Sequence, residues 1–167
     1  DLVNQPGGTL TRDAMHNAWP LLLIAVALPA HACWQDAAAR YGVDARLLYA
    51  IAQQESSLNA RAVNRNHAAR TRSVDIGLMQ INSRWLPVLD RHGIREADLL
   101  DPCTNLQVGA WILAQSFRRH GATWEAVGAY HASCTQLPPP DCAATRTRYA
   151  AAVYQRLNAV APRPPVQ

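Results

Sequence analysis

The chain has 167 residues, 49% of them hydrophobic, which suffices for one domain with a real core and leaves little room for a second. Its 16 basic residues are all Arg and outnumber 12 acids, giving a net charge of +4 that is spread along the chain and not gathered in runs. That balance suits an anionic polymer such as a cell wall, while the lack of a basic helix with interleaved aromatics speaks against nucleic acid.

The first feature in chain order is the apolar run Trp19 to Leu28, which is shorter than the roughly 20 residues a membrane-spanning helix needs. Ala30-His31-Ala32 follows with the small-x-small form of a signal-peptide cleavage site, the break falling before Cys33. Residues 1–32 are therefore read as a signal peptide, with export to the periplasm and no stable membrane span after cleavage. A buried helix of the fold is the alternative, and Met15 is a second candidate start. A Cys directly after the break would suit a lipoprotein, but the Leu usual three residues before it is replaced by Ala30. What remains is more basic than the whole, because the removed segment holds Asp1 and Asp13 but only Arg12.

Export would place Cys33, Cys103, Cys134 and Cys142 in an oxidising compartment, where an even number of cysteines implies two disulfides. Three connectivities are open. Cys134–Cys142 is the natural local pair, closing a short loop with Pro138-Pro139-Pro140, and Cys33–Cys103 would then tie the new N-terminus to the start of a helix. No Cys-x-x-Cys or His-x-x-x-His spacing points to zinc, so no metal and no cofactor are expected.

Trp34 to Tyr41 is Ala-rich and ends at Gly42, a fitting helix stop. Asp44 then caps a helix in which Leu47, Leu48, Ile51 and Ala52 recur at helical spacing, with Glu55 four residues past Ile51 on the same stripe. Residues 64–73 are polar and aperiodic, so a loop or short hairpin is expected there, not a helix. Gly77 opens Leu78-Met79-Gln80-Ile81-Asn82, where backbone can approach other groups closely. After a short segment from Trp85 to His92, Asp101-Pro102 starts a strong helix with Leu106, Ala110, Leu113 and Phe117 down one side, stopped at Gly121. Thr123 caps a helix through Tyr130, and a last helix runs from Ala143 to Asn158 with Tyr149, Val153 and Leu157 stacked on one face. The domain thus spans 33–158, and 159–167 is a Pro-rich tail expected to be disordered.

An acid on an apolar stripe is the observation that needs a reason. A carboxyl group that cleaves a glycosidic bond must deliver a proton to the leaving oxygen, and apolar surroundings favour its protonated form. The plainer reading of Glu55, taken alone, is a helix end in solvent. Met79 and Tyr130 can equally be core, and Ser56 can serve only local backbone. Gln80 among apolar neighbours and the hydroxyl of Tyr149 at a core position both need partners.

Taken together, Glu55-Ser56-Ser57-Leu58-Asn59, Gly77-Leu78-Met79-Gln80-Ile81-Asn82, Ala129-Tyr130-His131-Ala132-Ser133 and Tyr149 resemble, in order and spacing, the blocks of the soluble-type lytic transglycosylases. Val74 to Asn82, Asp101 to Asn105 and Gly109 to Ala114 are similar to the small members that accompany type III and type IV secretion, conjugation and pili. The resemblance implies a mainly α, α+β lysozyme-like fold: a helical domain with a small β-hairpin beside the active-site cleft. It implies that peptidoglycan glycan strands are the substrate and that Glu55 is the one catalytic acid. The 6-hydroxyl of the muramic acid would attack its own C1 to leave a 1,6-anhydro end, opening the wall locally for a secretion, conjugation or pilus machine. Ser56, Asp75, Met79, Gln80, Tyr130, His131 and Tyr149 would then meet the substrate, Tyr149 turning its hydroxyl towards Glu55 or the sugar, and Asp75 either aiding catalysis or holding the hairpin through backbone hydrogen bonds. Two rivals remain: a muramidase that uses water, and a glycan-binding assembly factor without turnover. The third block departs from the family's usual Ala-Tyr-Asn-Ala-Gly, since His131 and Ser133 replace the Asn and the Gly, and Ala60 stands where a Pro is common.

Overall fold

A computed structural model describes residues 30–135 and 137–159; the apolar run 19–28, all but the last three residues of the expected leader, and the tail from residue 160 lie outside them. The described residues form seven α-helices: α1 (Ala30–Tyr41), α2 (Ala45–Ser56), the single turns α3 (Ala68–Thr71) and α4 (Leu86–Leu89), α5 (Pro102–His120), α6 (Trp124–His131) and α7 (Pro139–Ala159). Three two-residue strands, β1 (Val63–Asn64), β2 (Asp75–Ile76) and β3 (Ile81–Asn82), form an antiparallel sheet in that order. Val63 pairs with Ile76 and Ile76 with Ile81. No helix among the described residues is long and apolar enough to cross a membrane.

The helix starts follow their caps. Asp44 accepts from Arg46 N at 2.7 Å, Asp101 from Thr104 N at 2.8 Å and Thr123 from Ala126 N at 3.3 Å, each satisfying a first-turn N–H that has no partner within the helix. α1 packs on α2 and α5, α2 on α7, and α6 on both α5 and α7. Leu48 and Ile51, Leu106 and Leu113, and Val153 bring α2, α5 and α7 together in a core that also takes Ile76, Met79 and Ile81 from the sheet. Burying each such side chain contributes about 1.5–3 kcal/mol. Two-residue strands cannot stand alone, so the sheet depends on that burial.

Three boundaries differ from expectation. α1 is helical from the first described residue, Ala30, so it includes residues ahead of the expected Trp34. The 64–73 segment contains the turn α3, because Ala68-Ala69 favour helix and Thr71 Oγ1 returns a 3.0 Å bond to His67 O before Arg72 closes the turn in the left-handed region at φ 54°. α7 starts at Pro139, not Ala143. A proline in the first helical turn forfeits no hydrogen bond, and the first bond runs from Cys142 N to Pro138 O at 2.9 Å. The loop closed by the Cys134–Cys142 disulfide contains all three prolines, with Pro139 and Pro140 forming the first turn of α7.

The sulfurs of Cys33 and Cys103 are bonded across 70 residues, and those of Cys134 and Cys142 across 8. Loop-closure entropy predicts unequal effects of removal: about 4 kcal/mol for the long link and about 2.5 kcal/mol for the short one. Urea unfolding of the two double Cys→Ser variants tests this, and equal losses would refute the entropic account.

Candidate active site

Glu55 stands one turn past the buried Ile51 at the end of α2, where Ser57 and Leu58 take φ 53° and 65° and turn the chain out of the helix. Its side chain is 12% exposed. Tyr149, 6% exposed on α7, donates its hydroxyl to Glu55 Oε1 at 2.5 Å. The His131 ring from α6 lies parallel to the Tyr149 ring with centroids 4.4 Å apart, and its Nδ1 sits 3.8 Å from the same carboxylate oxygen. The imidazole is 46% exposed, so it borders solvent while the phenol lies behind it.

The turn joining β2 to β3 is tied to the residue after Glu55. Ser56 Oγ donates to Leu78 O at 2.7 Å, stitching the end of α2 to this turn. Gly77 adopts φ +78° where a Cβ would fall 2.2 Å from Asn105 Nδ2 and 2.3 Å from Leu99 O, so no larger residue fits. Asn105, fully buried on α5, donates to Ile76 O and Leu99 O at 2.8 Å and accepts from Met79 N at 2.7 Å. Met79 itself is 0% exposed and packs against Gly109, where a Cβ would come within 2.8 Å of its Cγ. Gln80 donates its amide to Gly77 O at 2.8 Å and Ala62 O at 3.2 Å. Tyr130 donates to Met79 O at 2.8 Å, joining α6 to the turn.

Three of the residues expected at the substrate are placed in contacts within the fold, along the other reading that the sequence left open for each. The Met79 side chain is core, fully buried and packed closely on Gly109. Ser56 gives its hydroxyl proton to backbone and positions Glu55. Asp75 holds the sheet, but through side chains: His67 Nε2 lies 2.6 Å from its Oδ2 and Asn82 Nδ2 donates to its Oδ1 at 2.7 Å, so both oxygens have partners. Asn105 and His67 were missed as working residues. Asn105 had a signal in the sequence, a lone amide amid the apolar positions of a strong helix; His67 had none, since its partner lies across the hairpin.

Burial pushes the Tyr149 phenol well above its ordinary range; the Glu55 and Tyr130 charges and the hydrogen bond to Glu55 add to it, and Arg156 opposes. Burial likewise raises Tyr130, helped by the Glu55 and Asp75 carboxylates. Tyr149 therefore stays a proton donor to Glu55 through neutral and mildly alkaline pH. Because the folded chain holds these protons more tightly than the unfolded chain, their contribution to stability is full below about pH 10 and is lost above it. Urea midpoints between about pH 8 and 11 should fall in the native protein and fall less steeply after Tyr130→Phe with Tyr149→Phe; equal slopes would assign the decline to other groups.

A hollow of about 470 Å³ between α6 and α7, walled by Trp124 and Tyr154, contains none of these residues. Among the described residues no group of three or more His, Cys, Asp or Glu is placed to hold a metal ion. The arrangement offers one shielded carboxylate, oriented by a phenol and beside an imidazole, which is what proton transfer to a leaving oxygen requires.

The chain is similar to invasion protein IagB of Salmonella typhimurium (43% identical over 124 residues, 74% of this chain and 73% of that one). Protein IpgF of Shigella flexneri is 37% identical over 130 residues, 77% and 81% of the two chains. A peptidoglycan-binding-like protein of Escherichia coli O157:H7 is 36% identical over 146 residues, 83% and 85%. In structure it is similar to an inactive mutant of the lytic transglycosylase Slt of Pseudomonas aeruginosa, with a TM-score of 0.60 over 90% of this chain and 28% of that one. At 22% identity that likeness is one of fold, and the fold is lysozyme-like: helical with a small three-stranded sheet. The Transglycosylase SLT domain profile matches residues 32–137, so the chain belongs to the transglycosylase SLT domain family and with it to the peptidoglycan lytic transglycosylases.

Proposed function

We propose that the chain cleaves the β-1,4 bond between N-acetylmuramic acid and N-acetylglucosamine and closes the muramic acid into its 1,6-anhydro form, with Glu55 as the only catalytic acid. Glu55 donates its proton to the glycosidic oxygen as the C1–O bond breaks, the substrate's N-acetyl group assisting at C1. The resulting carboxylate then accepts the proton of the 6-hydroxyl as O6 bonds C1, which restores the acid. Tyr149 holds the carboxylate in one orientation, while Gln80, Tyr130 and His131 border the sugar.

The observation that carries this reading is the occupancy of the two nearby acids. Glu55 is shielded and oriented, whereas Asp75, the one candidate for a second carboxylate, has both oxygens engaged by His67 and Asn82. A hydrolase that activates water would need that second group free. Mass spectrometry of sugars released from purified peptidoglycan tests it: anhydro ends are expected, and reducing ends would make the chain a muramidase.

The purpose of the cut, in this reading, is local opening of the wall for a secretion, conjugation or pilus machine. Similarity to a protein named for invasion supports it. The site of action is the periplasm, reached through residues 1–32 as a signal peptide, and 33–158 is the working domain.

A further inference from the structure

The segment that builds the three-stranded sheet carries a group of exposed arginines. Arg84 Nη2 donates to Thr71 O at 2.6 Å, which holds its guanidinium at the backbone of the residue that Arg70 and Arg72 flank in sequence. All three are exposed, and Arg61 and Arg65 extend the same segment, also exposed. None of the five pairs with an acid among the described residues. Asp75 is the one acid between residues 61 and 84, and His67 and Asn82 occupy it. Thr71 is itself fixed, its Oγ1 2.8 Å from His67 Nδ1, so the cluster has a defined base.

Three like charges held at one turn repel each other, and an anion relieves that repulsion. Arginines favour planar carboxylates, which they bind by paired hydrogen bonds. The cluster is continuous with the active site: β2 and β3 lead into the 77–80 turn, which Ser56 bonds to the end of α2 next to Glu55. A glycan strand at Glu55 would lie against this sheet. Peptidoglycan strands carry peptides on their muramic acids, and those peptides bear free carboxylates.

We infer that Arg70, Arg72 and Arg84 form a docking surface for the carboxylates of the stem peptides on the strand being cut. This rests on the peptidoglycan-cleaving reading and assigns the enzyme a preference for strands that still carry their peptides. The contact is electrostatic and solvent-exposed, so it weakens with salt.

The test compares the protein with Arg70→Gln, Arg72→Gln, Arg84→Gln on soluble peptidoglycan strands and on the same strands stripped of peptides by an amidase. The triple variant should raise KM about tenfold on intact strands, leave kcat unchanged and match the native protein on stripped strands. Arg70→Gln with Arg72→Gln, which keeps the Arg84 bond to Thr71, should give part of the same rise, so a folding defect cannot imitate the result. Equal losses on both substrates, or none on either, would overturn the inference. So would an unchanged KM together with lost sedimentation on phosphatidylglycerol vesicles, which would assign the surface to a membrane. Absence of any release by the native protein from both substrates would instead overturn the reading of Glu55, and this inference with it.

Discussion

Glu55→Gln is expected to lower the rate of glycan release by roughly 10²–10⁴-fold, the usual contribution of a positioned general acid and base. Gln keeps the size and shape of Glu and still accepts the Tyr149 hydroxyl, so the 2.5 Å contact between α2 and α7 has an acceptor after the change. What it removes is the transferable proton. The expected pattern is near-native urea unfolding with turnover at the detection limit, read by release of soluble sugars. Activity within tenfold of native would show that the proton comes from elsewhere; His131, 3.8 Å from the same oxygen, would be the next group to replace.

Asn105→Ala is expected to lower stability by about 3–5 kcal/mol, a large share of the total for a domain of this size. The amide makes three hydrogen bonds in a fully buried position, and its loss leaves Met79 N, Ile76 O and Leu99 O without those partners. Each unsatisfied buried group costs about 1–3 kcal/mol, partly recovered where backbone relaxes or water enters. Since the strands are two residues long, the 77–80 turn should loosen with it. Gly77→Ala attacks the same junction, driving a Cβ into Asn105 and Leu99 O at a φ that resists any side chain. Both variants should lose urea stability and activity together, and a shift below about 1 kcal/mol in either would mean the junction is looser than its geometry.

Helix caps were legible because their physics is local. Asp44, Asp101-Pro102 and Thr123 satisfy N–H groups two or three residues away, and each starts its helix as expected. The end of α7 near the prolines was misread because a turn residue and a first-turn helical residue share the same fixed φ. The position of Glu55 on an apolar stripe followed from periodicity, since four residues along a helix return to the same face.

The partners of Glu55 did not follow from periodicity. Tyr149 lies 94 residues away, and which rotamer of which helix brings its hydroxyl to the carboxylate depends on how α2 and α7 pack. Met79 and Gln80 are neighbours in sequence, yet one is sealed against Gly109 and the other half-exposed, because a left-handed Gln80 at φ 48° turns the chain between them. Asp75 looked as available as any acid until His67 and Asn82 were brought across the sheet. By itself the sequence determined the long helices, their caps, the acid on an apolar stripe and the family its motifs resemble, all set by interactions within a few residues. Only the tertiary structure decided which groups face that acid and which are core, because those contacts join segments whose approach is fixed by packing of the whole chain.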